Sequence, residues 1–449
     1  MSTPRTVRTA RPGAAHRLAA LVEDALGGPL PVRLRAWDGS ETGPAGGPAV
    51  VVRSRRALRR LLWQPGELGL AQAYVTGELD VDGDLAEGLR ALWAAAREHD
   101  LHPPRLTLAD RTRALRTAAR LGAVGPRPAD PASQARLRGG LHSEARDRAA
   151  ISHHYDLSND FYRLLLDDTM TYSCGYWPGE EPGGTTDERE RPSVTAERSQ
   201  RAKLELICRK LGLVPGARLL DIGCGWGSLA LHAAEEHKAQ VTAVTLAREQ
   251  AAGVRARVRE RGLEHRVDVV CQDYRNIGGG AYDAVAAVEM GEHVGDAEYP
   301  AFTAALHRLV RPGGRVLVQQ MSRGATAPGG GAFIESFIAP DMHMRPLGET
   351  VSLLEGAGLE VRSVESLREH YVRTVAAWHR TLEDRWSDVV RLVGEERARV
   401  WRLYLVGGAL AFEQRRMGVD QILSVRPTSD GDSGMPATSA QWYAGLERP

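Results

Sequence analysis

An alternation that begins near residue 200 constrains the fold more than any other feature. "ARLLDIG", "QVTAVTL", "RVDVVCQD", "YDAVAAVE" and "GRVLVQQM" are short apolar runs. The first three are separated by "SLALHAAEEH" and "AREQAAGVRARVRERG", whose apolar residues recur at helical spacing. Short apolar strands that alternate with helices predict a buried, mostly parallel sheet covered on both faces. "DQILSVRP" predicts a last strand, and "TVAAWHRTLEDRWSDVV" and "RVWRLYLVGGALAF" predict late helices.

The first strand runs into "LLDIGCGWGSLA", Leu219 to Ala230, which opens the first helix. Glycines at such a turn let the backbone bend sharply and approach a ligand. A dinucleotide site would show G-x-G-x-x-G and an acid about 20 residues on. This chain has Gly223, Gly225 and Gly227 in G-x-G-x-G spacing, with Asp221 ahead of them. An acid before the glycines suits a ligand with a cationic amino-acid end and no diphosphate. That ligand is S-adenosylmethionine. The predicted fold class is therefore α/β, a class I S-adenosylmethionine-dependent methyltransferase: Rossmann-like, with a seven-stranded, mostly parallel sheet. Ligands of open α/β sheets sit at the carboxyl ends of the strands. There the sequence offers Thr245, Leu246 and Gln250 after the second strand, Asp273 and Tyr274 after the third, and Glu292 and His293 after the fourth.

The rest of the chain is read around this domain. Residues 30–100 predict a smaller N-terminal α/β domain, taken as 1–120. Residues 121–150 are rich in Pro, Gly and Ala and read as a linker, leaving 151–430 for catalysis and 431–449 as a tail. Residues 1–150 hold 23 arginines, no lysine and 16 acids, against a net charge of +1 for the whole chain. The densest patch, "RSRRALRR" from Arg53 to Arg60, suits an anionic membrane surface or an ordinary solvated helix face. No stretch reaches the ~18 uninterrupted apolar residues of a membrane span. The N-terminus lacks the apolar core of a secretory signal. Cys174, Cys208, Cys224 and Cys271 are scattered without a C-x-x-C pair, so neither a zinc site nor a disulfide framework is indicated, and no metal is expected. A reducing cytoplasm fits.

One further stretch needs a function. "HHYDLSNDFYRLLLDDTMTYSCGYW", His153 to Trp177, concentrates aromatic rings in a chain that is only 6% aromatic. "HYDLSNDFY", "DDTMTYSCGYW", "LLDIGCGWG", "CQDYR", "EHVG" and "HYVRTVAAW", in that order over about residues 145–425, resemble the cyclopropane-fatty-acyl-phospholipid synthase and mycolic acid methyltransferase family. The first 120 residues are more loosely similar to the lipid-associating domain of the bacterial synthases.

The resemblance implies methyl transfer from S-adenosylmethionine to the cis double bond of a phospholipid acyl chain, through a carbocation. Tyr172 and Ser173 join the cofactor residues. Tyr155, Tyr176, Trp177, Phe333 and Phe337 become candidates for the acyl site, where aromatic faces stabilise positive charge. In the family's cyclopropane synthases a bound bicarbonate acts as base, held by a Cys, a Glu, a His and a Tyr among others. The Cys falls at Cys174, the Glu at Glu292 and the Tyr at Tyr371. The His falls at Gln319, which hydrogen-bonds but does not titrate near neutrality. A displaced base favours a C10-methylene branch over a cyclopropane. The segment from Gly329 to Val361 is also similar to the actinobacterial tuberculostearic acid branch, in which an oxidoreductase partner reduces the methylene. The implied location is cytoplasmic, at the inner face of the membrane through the Arg-rich domain; a homodimer is a candidate assembly. Residues 323–346, rich in Gly and Pro at their start, suggest a lid. Cyclopropane synthesis is the alternative. More distant ones are a small-molecule methyltransferase and a non-catalytic lipid-binding protein. A nucleic-acid partner is not expected, because the basic charge lies outside the catalytic domain.

Overall fold

The apolar runs of the second half pair into one seven-stranded sheet. Its strands are β5 (Arg218–Ile222), β6 (Gln240–Thr245), β7 (Val267–Cys271), β8 (Tyr282–Val288), β9 (Val310–Ser322), β10 (Glu360–Ser366) and β11 (Gly418–Val425). Their order is β10-β11-β9-β8-β5-β6-β7, and only β11 runs against its neighbours. The sequence reading missed β10, whose "EVRSVES" alternates half-buried and exposed residues at the sheet edge. The central strands are buried almost throughout, as helices on both faces demand. One face packs the helices Ala196–Leu211, Ser228–Glu236 and Arg248–Glu260 around Leu206, Leu219 and Val254. The other packs Tyr299–Leu309 and Leu347–Gly356 around Leu220, Phe302 and Val316.

This computed structural model describes residues 12–98, 108–135, 146, 159–179, 195–279, 281–324 and 331–446. The chain divides into two compact units, Met1–Gln134 with Glu395–Gly407, and Ala135–Gly394 with Gly408–Pro449. This corrects the expected boundaries in three places. The stretch 121–134 was expected to be linker but belongs to the first unit. Glu395–Gly407, expected in the catalytic domain, belongs there too. The expected tail is not loose, since Trp442 and Leu446 are buried in the core that holds Leu206. The expected linker residues 136–145 and 147–150 lie outside the described residues.

The first unit holds a four-stranded sheet, β2-β1-β3-β4, made of β1 (Arg33–Ala36), β2 (Glu41–Thr42), β3 (Ala49–Val52) and β4 (Leu79–Asp82). The arginine cluster ties this unit together. Arg60 is buried and grips Glu78 through two nitrogens, at 2.8 and 3.2 Å, while its third nitrogen donates to the Ala129 carbonyl. Arg53 pairs with Asp80 at 2.6 Å, and Arg59 donates to the Ala123 carbonyl at 3.1 Å. Arginines that read as a membrane-facing patch or a solvated helix face are thus largely engaged within the unit, and they explain why 121–134 folds here.

Candidate active site

Between β5 and the helix Ser228–Glu236, the glycine turn takes three left-handed backbone conformations, with φ of 76° at Gly223, 54° at Gly225 and 82° at Gly227. Each glycine has its own reason. A Cβ on Gly223 would stand 2.7 Å from the Met290 side chain, and one on Gly227 would stand 2.7 Å from Val254. A Cβ on Gly225 would meet nothing within 4 Å, because that residue borders open space. Gly227 thus serves helix packing, whereas Gly225 leaves room for a ligand.

That room is a cleft of about 840 Å³ at the carboxyl ends of the strands. Gly223, Gly225, Thr245, Leu246 and Gln250 border it, and so do Asp273 and Tyr274 beyond β7. Thr245 donates its hydroxyl proton to the Gln250 amide oxygen at 2.8 Å, which orders the rim after β6. Asp273 accepts two hydrogen bonds from the Arg275 guanidinium. A second cleft of about 540 Å³ shares Gly223, Gly225, Gln250 and Glu289, and adds Tyr172, Ser173 and Asp221. Of the expected cofactor residues, all but Gly227 therefore line one cleft or the other.

The second cleft carries the charge pattern of an amino-acid binding site. Asp221 is 2% exposed, and its Oδ2 has no hydrogen-bond partner. Burial pushes its carboxyl up to about 7, opposed by the nearby Lys203. Lys203 is also buried; its ammonium donates to the Ser173 hydroxyl at 2.8 Å and is pulled down to about 8 by burial, against the attraction of Glu289. An orphaned carboxylate and a buried ammonium on one cleft fit the ammonium and carboxylate of S-adenosylmethionine, as the open space at Gly225 fits its nucleoside end. Lys203 escaped the sequence reading. Its signal was a polar residue on a buried helical stripe, since Gln200, Lys203, Ile207 and Lys210 recur at i, i+3, i+7 and i+10 and are all buried.

The polar centre is Glu289, which also escaped prediction. Its Oε1 accepts from the Cys174 backbone N–H at 2.7 Å and from the Gln319 amide at 2.9 Å. Its Oε2 accepts from the Tyr371 hydroxyl at 2.6 Å. Burial raises its carboxyl above the usual range, while these three donors work in the opposite direction. The backbone at Glu289 is left-handed, with φ of 49°, a conformation that costs a residue with a side chain about 1–2 kcal/mol. The amide of Gln319 is fixed in turn. Its oxygen accepts from Gln421, its register partner on β11, at 2.9 Å, and Gln421 accepts from Lys210 at 2.7 Å. Cys174 contributes its backbone; its thiol is buried, is pushed well above its usual range by burial, and hydrogen-bonds carbonyl oxygens.

Glu292 stands apart from this cluster. Its Oε1 accepts from the Met321 backbone N–H at 3.1 Å, its Oε2 has no partner, and burial followed by repulsion from Glu289 raises it to about 8. Three of the four expected catalytic residues thus meet on Glu289, not on Glu292. The rule that places ligands at strand ends could have found it, because Glu289 directly follows β8.

The aromatic residues divide. Tyr172 lines the second cleft and packs on Trp378 at 5.1 Å between ring centres. Trp177 is instead pinned, its indole N–H donating to the Thr374 hydroxyl and its backbone N–H to His370. Tyr176 stacks on the His370 ring at 4.8 Å. Phe333 and Phe337 are buried against each other on the helix Gly331–Phe337. None of these last four borders either cleft. Tyr155 lies outside the described residues. So does the middle of the expected lid, 325–330. Its far end is anchored, with Arg345 buried and its guanidinium 3.8 Å above the Tyr299 ring centre.

Residues 142–422 match the family model described as mycolic acid cyclopropane synthetase. The chain belongs to that family. A probable fatty acid methyltransferase of Pseudomonas putida is 36% identical over 430 residues, covering 92% of this chain and 96% of that protein. A tuberculostearic acid methyltransferase of Mycobacterium tuberculosis is 32% identical, covering 88% of both chains. Among solved structures, a cyclopropane synthase of Mycobacterium tuberculosis is 29% identical, with a TM-score of 0.57 over 64% of this chain and all of that one. The enzyme is an S-adenosylmethionine-dependent methyltransferase with the class I fold, of a family that acts on fatty acyl chains.

Proposed function

We propose that the enzyme methylates the cis double bond of an oleoyl-type acyl chain in a phospholipid and releases it with a C10-methylene branch. The observation that carries this reading is the carboxylate of Glu289, held by Cys174, Gln319 and Tyr371. These are groups to which the family resemblance assigned a bicarbonate. The chain supplies its own anion there, and no bicarbonate is needed.

Bound S-adenosylmethionine supplies an electrophilic methyl group to the alkene. The residues that would hold it are Asp221 for its ammonium, Lys203 and Ser173 for its carboxylate, and Gly223, Gly225, Thr245, Gln250 and Asp273 for its nucleoside end. When the alkene carbon gains the methyl group, its neighbour becomes a carbocation. The face of Tyr172 beside the cleft stabilises that charge. One proton must then leave. Loss from the new methyl after a hydride shift gives the methylene, and loss with ring closure gives the cyclopropane. Glu289 accepts the proton, and its raised carboxyl is suited to this. It is tethered to a strand end and backed by an amide that takes no proton, so it does not follow the cation as a free ion can. The hydride shift then competes successfully with ring closure. The methylene product would be the substrate of an oxidoreductase.

Among the described residues no helix is long and apolar enough to cross a membrane. In the first unit Trp63 and Leu70 are 55% and 47% exposed. They are the residues we assign to peripheral contact with an anionic lipid surface. Expression alone in a host rich in oleoyl phospholipid, with mass spectrometry of its fatty acids, tests the reading. A methylene-branched C19 acid supports it. A cyclopropane C19 acid would overturn the product while keeping the site, and no new acid would overturn the substrate.

A further inference from the structure

Outside both clefts, the helices Ala196–Leu211 and Ser228–Glu236 bring four metal-ligating side chains together. Glu205 and Cys208 stand one turn apart on the first helix. His232 lies on the second, and His237 caps its end. The Glu205 Oε2 atom lies 3.1 Å from His232 Nε2 and 2.9 Å from His237 Nε2. The Cys208 sulfur and one nitrogen of each imidazole lie within 4.8 Å of one another. We propose that Glu205, Cys208, His232 and His237 form a closed, four-ligand site for a divalent ion of the zinc class, which staples these two helices.

The donor set fits that ion. One thiolate, two imidazoles and one carboxylate are ligands that zinc takes, and four protein donors leave no position for water, as in structural sites. Donors at about 2.0–2.3 Å from a tetrahedral ion stand about 3.3–3.8 Å apart. The present separations bracket that range, so small side-chain rotations on rigid helices suffice. The surroundings fit as well. Arg209 holds the other oxygen of Glu205 at 2.6 Å, and the His237 ring also hydrogen-bonds the Leu213 carbonyl. Such outer contacts orient ligands toward a metal. Cys208 is buried, and its thiol makes no hydrogen bond among the described residues. The three other side chains are 14–24% exposed, which leaves a way in for the ion. Charge also balances, because a thiolate and a carboxylate neutralise a dication once the thiol and imidazole protons have left.

The consequence is structural. The first helix carries Gln200 and Lys203, which hydrogen-bond Ser173, and the second begins at Gly227 of the cofactor turn. The ion, itself outside the cofactor site, would fix the spacing of two helices that line it. The sequence hid this cluster because its ligands come from two helices and include no C-x-x-C pair.

The test uses the full chain, purified without a metal-affinity tag and stripped with chelator. Titration with Co²⁺ is expected to saturate at one ion per chain, with tetrahedral visible bands and a near-ultraviolet thiolate-to-cobalt band. Zn²⁺ should displace the Co²⁺ and raise the melting temperature. Cys208→Ser should lose the thiolate band, and His237→Gln, which removes a ligand, should weaken binding by at least the roughly 10–100-fold that loss of an outer-shell contact costs. Cys271→Ser, at the exposed cysteine, should change neither. If Cys208→Ser does not fold, His237→Gln, at a less buried position, carries the test. Absence of saturable binding, a thiolate band lost in Cys271→Ser, or unchanged affinity in His237→Gln would each overturn the proposal. The cluster would then be a proton-linked His–Glu–His network only.

Discussion

Replacing Glu289 with glutamine exchanges one oxygen for an amide nitrogen and removes one negative charge. The neighbours tolerate the shape. The two donors on Oε1, from Cys174 and Gln319, still meet an oxygen, and the Tyr371 hydroxyl can accept from the new NH₂. The stability change should therefore stay within about 1 kcal/mol, the size of one net hydrogen bond. Proton removal is another matter. Loss of a positioned general base costs about 10²–10⁴ in rate, or about 3–5 kcal/mol of barrier. The assay is turnover on oleoyl phospholipid vesicles, with S-adenosylhomocysteine affinity by calorimetry and a thermal melt beside it. Glu289→Gln should fold, keep its affinity and lose turnover. Glu289→Gly adds a second test, since glycine adopts φ of 49° without strain. It should lose turnover while gaining back part of the ~1–2 kcal/mol of backbone strain. Its emptied pocket should also make residual activity depend on added bicarbonate, whereas the unaltered enzyme should not respond. Wild-type turnover in Glu289→Gln would refute the assignment of the base.

Other outcomes follow from the same geometry. Asp221 is raised from 3.8 to about 7, so between these values the folded chain keeps a proton the unfolded chain has lost, and stability falls as pH rises through this window. Asp221→Asn should therefore make the cofactor-free protein more stable above pH 7, on the order of 4 kcal/mol, in denaturant titrations, while S-adenosylmethionine affinity falls. Gly225→Ala should weaken cofactor binding with a modest stability loss, whereas Gly227→Ala, which crowds Val254, should chiefly lower the melting temperature; the reverse ranking would contradict the roles given to the two glycines. Gln319→His should shift some product toward cyclopropane in fatty acid analysis, since an imidazole can take a proton from Glu289; an unchanged profile would show that the glutamine does not set the product.

What the sequence determined by itself was chemistry carried on one continuous segment. The turn from Asp221 to Gly227, the residues after β6 and β7, and the βα alternation are local patterns, because backbone conformation and burial period are properties of neighbouring residues. Even the Cys174–Gln319–Tyr371 set was legible, through motifs matched one at a time. Tertiary structure decided which groups converge. Glu289 and Glu292 are three residues apart and equally acidic in the sequence; only the packing of β8 against β9 and the helix Arg368–Asp384 puts the first on Tyr371 and leaves the second on Met321. Lys203 and Lys210 drew no reading from the sequence; both are buried, Lys203 on Ser173 and Lys210 on Gln421, because the sheet covers their face. The arginines of the first unit read as a membrane-facing patch or a solvated helix face, and several of them hold that unit together. Cys208, His232 and His237 carry no spacing signature, because their meeting depends on how two helices cross. Distance in space is set by packing, and no local pattern records it.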